Sequence, residues 1–218
     1  MARYNVKKGL SMKKQQVFYI HGGDAFSDYG KFLEYLHAIP IRNLPGSEPL
    51  KKWSSTLAED LGAEYEVFTP QMPNSLNSKY EEWKIWFERH FEYLRDDVIL
   101  VGWSLGAYFL AKYLVENETP FKVKTLFLLA PLFENNAFDP DGEDGGDFAF
   151  DTSQAGKLAK KASKIVIFHS KDDFCVPYEH ALKYKAQLPE AELVTFEDKN
   201  HFLIEEFPEL IEHIKKPN

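Results

Sequence analysis

Residues 102–106 form the pattern G-x-S-x-G, in which a serine stands between two glycines. An apolar run typical of a strand, residues 98–101, precedes the pattern, and an apolar helical pattern follows it. A serine at the tip of such a strand-to-helix turn has its hydroxyl exposed at the edge of the sheet, and glycines avoid clashes in the tight turn. We therefore predict that Ser104 is a nucleophile and that the Leu105 N–H, at the start of a helix, stabilises an oxyanion.

An acid and a base follow further along the chain, each on a loop after a predicted strand. Asp173 comes after the apolar run 164–169, and His201 comes after the run 192–196. Because the carboxyl ends of parallel strands lie at one edge of a sheet, both side chains are expected near Ser104. The chain order serine, aspartate, histidine is that of the α/β-hydrolases, in which the histidine takes the serine proton and the aspartate orients the histidine ring.

Three other residues compete for these roles. Asp172 stands next to Asp173, and only one of two neighbouring carboxylates on an extended loop can point at His201. The other is expected to face solvent or to cap the loop. His169 lies late in the preceding strand and is a second candidate base. Cys175 lacks an elbow and a pair of oxyanion amides, so we interpret it as a small buried residue.

The first apolar run, residues 16–20, ends in His21-Gly22-Gly23-Asp24. Two glycines allow the backbone to approach a substrate closely and to turn an amide toward it. We predict that the Gly23 N–H completes an oxyanion hole with that of Leu105. The neighbouring residues of the two loops are expected to contact the substrate: His21, Gly22, Asp24 and Trp103.

The elements that must position these residues alternate between strand and helix, which predicts about six parallel strands flanked by helices. A helical stripe covers residues 26–37, and a second helix is expected near 49–61. A third helix is expected over 79–94, with aromatic residues on its buried face. The last two predicted helices cover 177–188 and about 205–215.

Residues 133–151 break this alternation, because acidic residues, glycines and phenylalanines are mixed there. Such a segment is typical of a small mobile flap over a site rather than of a full cap domain. A calcium loop would need glycine where Asp144 stands and glutamate where Phe150 stands. We therefore expect no metal site.

Composition limits the class of protein. The 218 residues, 44% of them apolar, suffice for one sizeable domain, expected over 16–218 after a tail at 1–15. The net charge of −8 argues against nucleic acid or an anionic membrane as a partner and favours a small neutral substrate. A single cysteine excludes a disulfide framework and favours the cytoplasm. We expect no membrane span and no cofactor, and a protein partner stays open.

Several stretches carry a family resemblance: His21-Gly22-Gly23, Met72-Pro73 with Trp83 after it, Gly102-Trp103-Ser104-Leu105-Gly106, Asp172-Asp173-x-x-Val176-Pro177, and Asn200-His201-Phe202. Together they resemble the small serine hydrolases grouped with retinoblastoma-binding protein nine and bacterial YdeN. The resemblance implies a compact α/β-hydrolase fold, and its D-x-x-V-P spacing implies that Asp173 is the acid. The sequence departs from the family at residues 24–50, a longer first connection, and at Asn200, which replaces a glycine but tolerates a left-handed conformation.

The sequence therefore predicts a serine hydrolase that cleaves small acyl esters through a Ser104–His201–Asp173 triad and an acyl-enzyme. A non-catalytic protein-binding module on the same scaffold stays open, because fold alone does not decide function. A serine aminopeptidase or a thioesterase with the same triad stays open as well.

Overall fold

The computed structural model describes residues 13–41, 45, 51–134 and 145–216. Six strands form one sheet in the order β2-β1-β3-β4-β5-β6, and each neighbouring pair is parallel. The strands are β1 (Gln15–Ile20), β2 (Tyr65–Phe68), β3 (Val98–Trp103), β4 (Val123–Leu129), β5 (Ala162–Ser170) and β6 (Glu192–Phe196). The predicted parallel α/β architecture is confirmed.

Helices cover both faces of the sheet. They are α1 (Tyr29–Ala38), α2 (Trp53–Leu61), α3 (Tyr80–Glu88), α4 (Leu105–Glu116), α5 (Glu179–Gln187) and α6 (Pro208–Lys215), with 3₁₀ turns at Phe91–Tyr93, Gly146–Phe148 and Thr152–Lys160. One apolar layer lies between the sheet and α2 with α6, and the other lies under α3, α4 and α5. Successive strand residues point to opposite faces, so Phe18 belongs to the α3–α5 layer and Tyr19 to the α2–α6 layer.

Several helix ends differ from the prediction: α1 begins at Tyr29 rather than at 26, and α2 begins at Trp53 rather than near 49. The helix expected over 79–94 ends at Glu88, and beyond it His90 Nδ1 donates a hydrogen bond of 2.7 Å to the Trp86 carbonyl oxygen, one of the acceptors left free at the helix end. The last helix begins at Pro208 rather than near 205, since proline suits the first helical position, where no N–H is needed.

The predicted flap lies partly outside the described residues, which exclude 135–144. Its described C-terminal end is anchored in the core: Phe148 is fully buried against aromatic rings of α3 and α4. The Lys112 ammonium group donates hydrogen bonds of 2.8 Å to the carbonyl oxygens of Asp147 and Ala149. The described part of this segment therefore packs against α4 and lines no part of the cavity that contains Ser104.

A buried histidine holds the start of the same segment. His180 on α5 accepts a hydrogen bond of 2.8 Å from the Phe133 N–H through Nδ1. Burial, together with the nearby charge of Lys183, lowers the pKa of His180 to about 4. The ring is therefore neutral in the folded chain at pH values where it already binds a proton in the unfolded chain.

We expect His180 to remove about 2 kcal/mol from the free energy of unfolding when the pH falls from 7 to 5. The sign follows because the unfolded state binds more protons than the folded state in this range, so acid favours unfolding. Urea titrations of the wild type and His180→Asn at both pH values measure the effect. Asparagine keeps an acceptor but does not titrate, so the variant should lose less stability on acidification. Equal losses in both proteins would contradict the pKa shift.

Candidate active site

Ser104 occupies the sharp turn between β3 and α4. Its φ of 54° and ψ of −122° lie where an L-residue is strained, as residues at functional sites often are. The turn requires close packing, since a Cβ on Gly106 would lie 2.4 Å from the Ile20 carbonyl oxygen. The Leu105 N–H belongs to the first turn of α4, whose amides have no acceptor inside the helix. The predicted strand-to-helix turn is therefore present, with a free amide beside the serine.

The loop after β1 lies against this turn. β1 pairs with β3 so that Ile20 is opposite Gly102, and a Cβ on Gly22 would lie 3.1 Å from the Ser104 Cβ. A side chain at position 22 would therefore push against the serine. This contact explains why the loop carries glycine where it passes the nucleophile candidate.

His21 fixes the orientation of that loop. Its Nδ1–H donates to the Gly22 carbonyl oxygen at 2.6 Å, and its Nε2 accepts from the Met72 N–H at 2.8 Å. Burial lowers the pKa of His21, and the positive charge of Lys52 lowers it further, while the hydrogen bond to Gly22 raises it. The net shift is downward, so the ring is neutral at pH 7. Because the carbonyl and the following N–H of a trans peptide point in opposite directions, the Gly23 N–H points away from His21.

Asp173 and His201 form a buried pair. The His201 Nδ1–H donates to Asp173 Oδ2 at 2.8 Å and lies 3.0 Å from Oδ1. Since an ionised carboxylate only accepts, the ring proton is on Nδ1 and the Nε2 lone pair is free. Within the described chain the Ser104 hydroxyl makes no hydrogen bond to His201, a gap that often closes only when substrate binds.

The Asp173 carboxylate is held by several donors. Its Oδ1 accepts from the N–H groups of Cys175 and Val176 at 2.9 and 2.8 Å. Burial raises the pKa of Asp173, but hydrogen bonds from His169 and His201 outweigh burial and hold the pKa well below its usual range. Asp173 is therefore ionised at neutral pH.

Two of the competing residues have other positions. His169 is fully buried behind the acid, with Nε2 3.4 Å from Asp173 Oδ2 and 2.8 Å from the Val176 carbonyl oxygen. It lines no part of the cavity, so this geometry does not support it as a base. Cys175 is partly exposed and lines the cavity, so the prediction that it is buried is wrong.

Asp172 links the acid loop to the histidine loop. Its Oδ1 accepts hydrogen bonds from the Ser170 hydroxyl at 2.5 Å and from the Asn200 N–H at 2.8 Å. Asp172 is exposed, as expected, and these bonds also join its loop to the loop that carries His201. No sequence pattern indicates this bridge, because it depends on two loops that only the fold brings together.

The loop that carries His201 is held by a bond within the loop and by a bond to Trp103, which precedes Ser104. Asn200 adopts the left-handed conformation that its residue type tolerates, with φ at 41°, and its Oδ1 accepts from the Leu203 N–H at 3.0 Å. The Trp103 indole N–H donates to the His201 carbonyl oxygen at 3.0 Å. Trp103, predicted to contact substrate, thus also joins the elbow to the loop that carries His201.

These loops surround a cavity of about 840 Å³. Its wall contains Ser104, His201 and Gly23. It also contains the four residues that were predicted to contact the substrate, namely His21, Gly22, Asp24 and Trp103. The rest of the described wall comes from Tyr19 on β1, the end of α1, the start of α2, the loop after β2, Cys175, and the exposed side chains of Phe174 and Leu203. The contribution of α1 and α2 was not predicted, because the long connection between them carries no motif.

A sequence profile of the serine hydrolase family matches residues 41–214, a range that includes Ser104, Asp173 and His201 and begins after the glycine loop. The chain belongs to the serine hydrolase family. A search of curated protein sequences finds no match.

Solved structures of this fold are similar to the serine hydrolase over most of its length. The ydeN gene product from B. subtilis aligns with a TM-score of 0.67 at 20% identity, covering 92% of this chain and 97% of that one. The thioesterase domain from the curacin biosynthetic pathway gives 0.59 at 15% identity and coverages of 94% and 92%. Paleococcus ferrophilus monoacylglycerol lipase gives 0.56 at 16% identity, with 91% of each chain covered. The predicted YdeN-type α/β-hydrolase fold is confirmed.

The described part of this serine hydrolase contains neither a helix that could span a membrane nor a cluster of metal ligands. None of its described helices is long and apolar enough to cross a bilayer. Across residues 13–41, 45, 51–134 and 145–216, no three histidine, cysteine, aspartate or glutamate side chains are grouped as metal ligands would be.

Proposed function

We propose that this serine hydrolase cleaves carboxylic esters of small molecules through a triad of Ser104, His201 and Asp173. The observation that supports the proposal most is the 2.8 Å hydrogen bond between buried Asp173 and His201. His201 shares a cavity wall with a serine in a strained strand-to-helix turn. A nucleophile, a base and an orienting acid on three loops of one sheet are the parts that acyl transfer needs.

The reaction runs in two halves. Ser104 Oγ attacks the ester carbonyl carbon while His201 Nε2 takes the hydroxyl proton; the bond to the alcohol then breaks, and His201 returns the proton to the departing alkoxide. Water attacks the acyl-enzyme with His201 again as base, which releases the carboxylic acid and free Ser104. Asp173 stays ionised throughout and stabilises the charged imidazolium.

The negative oxygen of each tetrahedral intermediate is assigned to two backbone amides. The Leu105 N–H lies at the start of α4, where the helix end also favours negative charge. The Gly23 N–H is turned by the hydrogen bond that His21 makes to the Gly22 carbonyl oxygen. In this proposal His21 is a positioning residue for the loop rather than a substrate ligand, because both its ring nitrogens are engaged.

A matched set of acyl substrates tests the type of bond cleaved. The same straight-chain acyl groups are offered as 4-nitrophenyl esters and as thioesters, and amino acids are offered as 4-nitroanilides. We expect the highest kcat/KM with the esters, and Ser104→Ala measures the background. A higher kcat/KM with the thioester or the anilide would assign a thioesterase or an aminopeptidase. No turnover of any of them would favour the binding module.

A further inference from the structure

One end of the active-site cavity is built from the start of α2. Lys52, Ser54 and Ser55 line the cavity there, and Lys52 is the extended residue directly before the helix. Helix N-termini favour negative charge, because the amides of the first turn point outward and the peptide dipoles align. By itself such a helix end is a common feature and identifies no ligand.

A buried hydroxyl supplies a second, independent indication. Tyr19 lies on β1 beneath α2, is only 4% exposed and also lines the cavity. Its hydroxyl oxygen is buried, and no described residue makes a hydrogen bond of normal length and angle with it, although the Ser54 side chain lies beside it. A buried hydroxyl left unpaired is costly, so a polar group of a ligand would satisfy it.

The charge at this end has no partner among the described residues. Lys52 is partly buried and forms no ion pair or hydrogen bond with any residue that the structure describes, and it is the one lysine or arginine in the described cavity wall. Asp24, the one acidic residue in the described cavity wall, accepts a hydrogen bond of 2.8 Å from the Tyr35 hydroxyl, and Asp173, behind the wall, binds His201. A local cation thus faces the cavity of a chain whose net charge is −8.

We propose that Lys52, Ser54 and Tyr19 form a carboxylate subsite, so that the preferred substrates are esters bearing a second, free carboxylate. Lys52 supplies the charge, and the two hydroxyl groups and the first turn of α2 supply donors to the carboxylate oxygens. The inference rests on the proposed function, because the subsite shares its cavity with Ser104. It replaces the small neutral substrate that the net charge favours with an anionic one, because Lys52 places a positive charge in the cavity wall.

Three chromogenic esters test the subsite. 4-Nitrophenyl hemiglutarate carries the carboxylate on the acyl side, 3-carboxy-4-nitrophenyl pentanoate carries it on the alcohol side, and 4-nitrophenyl pentanoate carries none. The quantity compared is kcat/KM for each carboxylate ester divided by kcat/KM for the uncharged ester. Lys52→Met is expected to lower this ratio by about tenfold or more for at least one carboxylate ester, mainly because KM rises. Tyr19→Phe should lower the same ratio less. Lys51→Met is the matched control, because Lys51 is exposed and lies outside the described cavity wall.

A loss shared equally by all three esters, or no loss for either carboxylate ester, would overturn the subsite while leaving the proposed function intact. Calorimetry can measure the binding of the same three esters to Ser104→Ala. This measurement needs no turnover, so it tests the carboxylate subsite separately from the proposed esterase activity. A carboxylate ester should bind this variant about tenfold more tightly than the pentanoate, and Ser104→Ala/Lys52→Met should lose the difference. If Ser104→Ala binds a carboxylate ester more tightly than the pentanoate but the wild type hydrolyses none of the esters, the subsite is supported and the esterase activity is rejected. Equal binding of all three esters would reject the subsite.

Discussion

A fluorophosphonate is expected to label Ser104 alone, and Ser104→Ala is expected to lose about 10⁶-fold in kcat for ester hydrolysis, as in proteases that lose their nucleophilic serine. Such reagents need a serine that can be reached from a cavity and is activated by a base. Ser104 has the strained turn, the adjacent Leu105 amide and a cavity wall shared with His201. The site of labelling is read by mass spectrometry and the rate by release of 4-nitrophenol.

Ser75 provides the matched control. It lines the same cavity but lies in the middle of the long loop between β2 and α3, five residues before the helix begins rather than at its first turn. Ser75→Ala should therefore be labelled as fast as the wild type. Attachment of the reagent to another residue, or undiminished labelling of Ser104→Ala, would remove Ser104 from the proposed reaction.

The strand-to-helix turn could be predicted from the sequence because its causes are local. An apolar strand, two glycines and an apolar helix decide the backbone within about ten residues. The structure has β3, the turn and α4 at the expected places, and α4 is buried from Leu105 to Val115 as its apolar pattern indicated. The close approach of Gly106 to Ile20 is the physical reason for the glycine in the pattern.

The meeting of Asp173 with His201 could be predicted from topology rather than from local pattern. Both follow strands of one parallel sheet, and β5 and β6 are neighbours in that sheet. Adjacent parallel strands place their following loops side by side, whatever the loop sequences are. The choice between Asp172 and Asp173 needed the family resemblance, because periodicity alone cannot say which carboxylate turns inward.

The cavity wall could not be predicted in the same way. Its composition depends on how α1 and the start of α2 are placed over the sheet edge, and the connection between the two predicted helices has no periodic pattern that fixes this. Tyr35 and Lys52 therefore gave no signal as single residues. The bridge from Asp172 to Asn200 joins the two loops that topology places side by side, but the sequence does not show that the Asp172 carboxylate turns toward the Asn200 N–H.

Asp173→Asn is expected to lower kcat by about 10⁴-fold, the loss found when a triad aspartate is replaced by asparagine. Both carboxylate oxygens of Asp173 accept hydrogen bonds, Oδ1 from Cys175 and Val176 and Oδ2 from His201. An asparagine NH₂ group must replace one of these acceptors. If the amide keeps the backbone bonds through its oxygen, the NH₂ group faces His201 and forces the proton onto Nε2, so the base can no longer take the Ser104 proton.

Asp172→Asn is the matched control, and we expect it to cost less than about tenfold in kcat because only local loop bonds are involved. Both hydrogen bonds to Asp172 end on Oδ1, so an asparagine oxygen can keep the contacts to Ser170 and Asn200. Circular dichroism of both variants establishes that they are folded before the rates are compared. If Asp172→Asn is the inactive variant and Asp173→Asn retains activity, the acid of the reaction is Asp172, and the buried pair of Asp173 with His201 serves the fold instead.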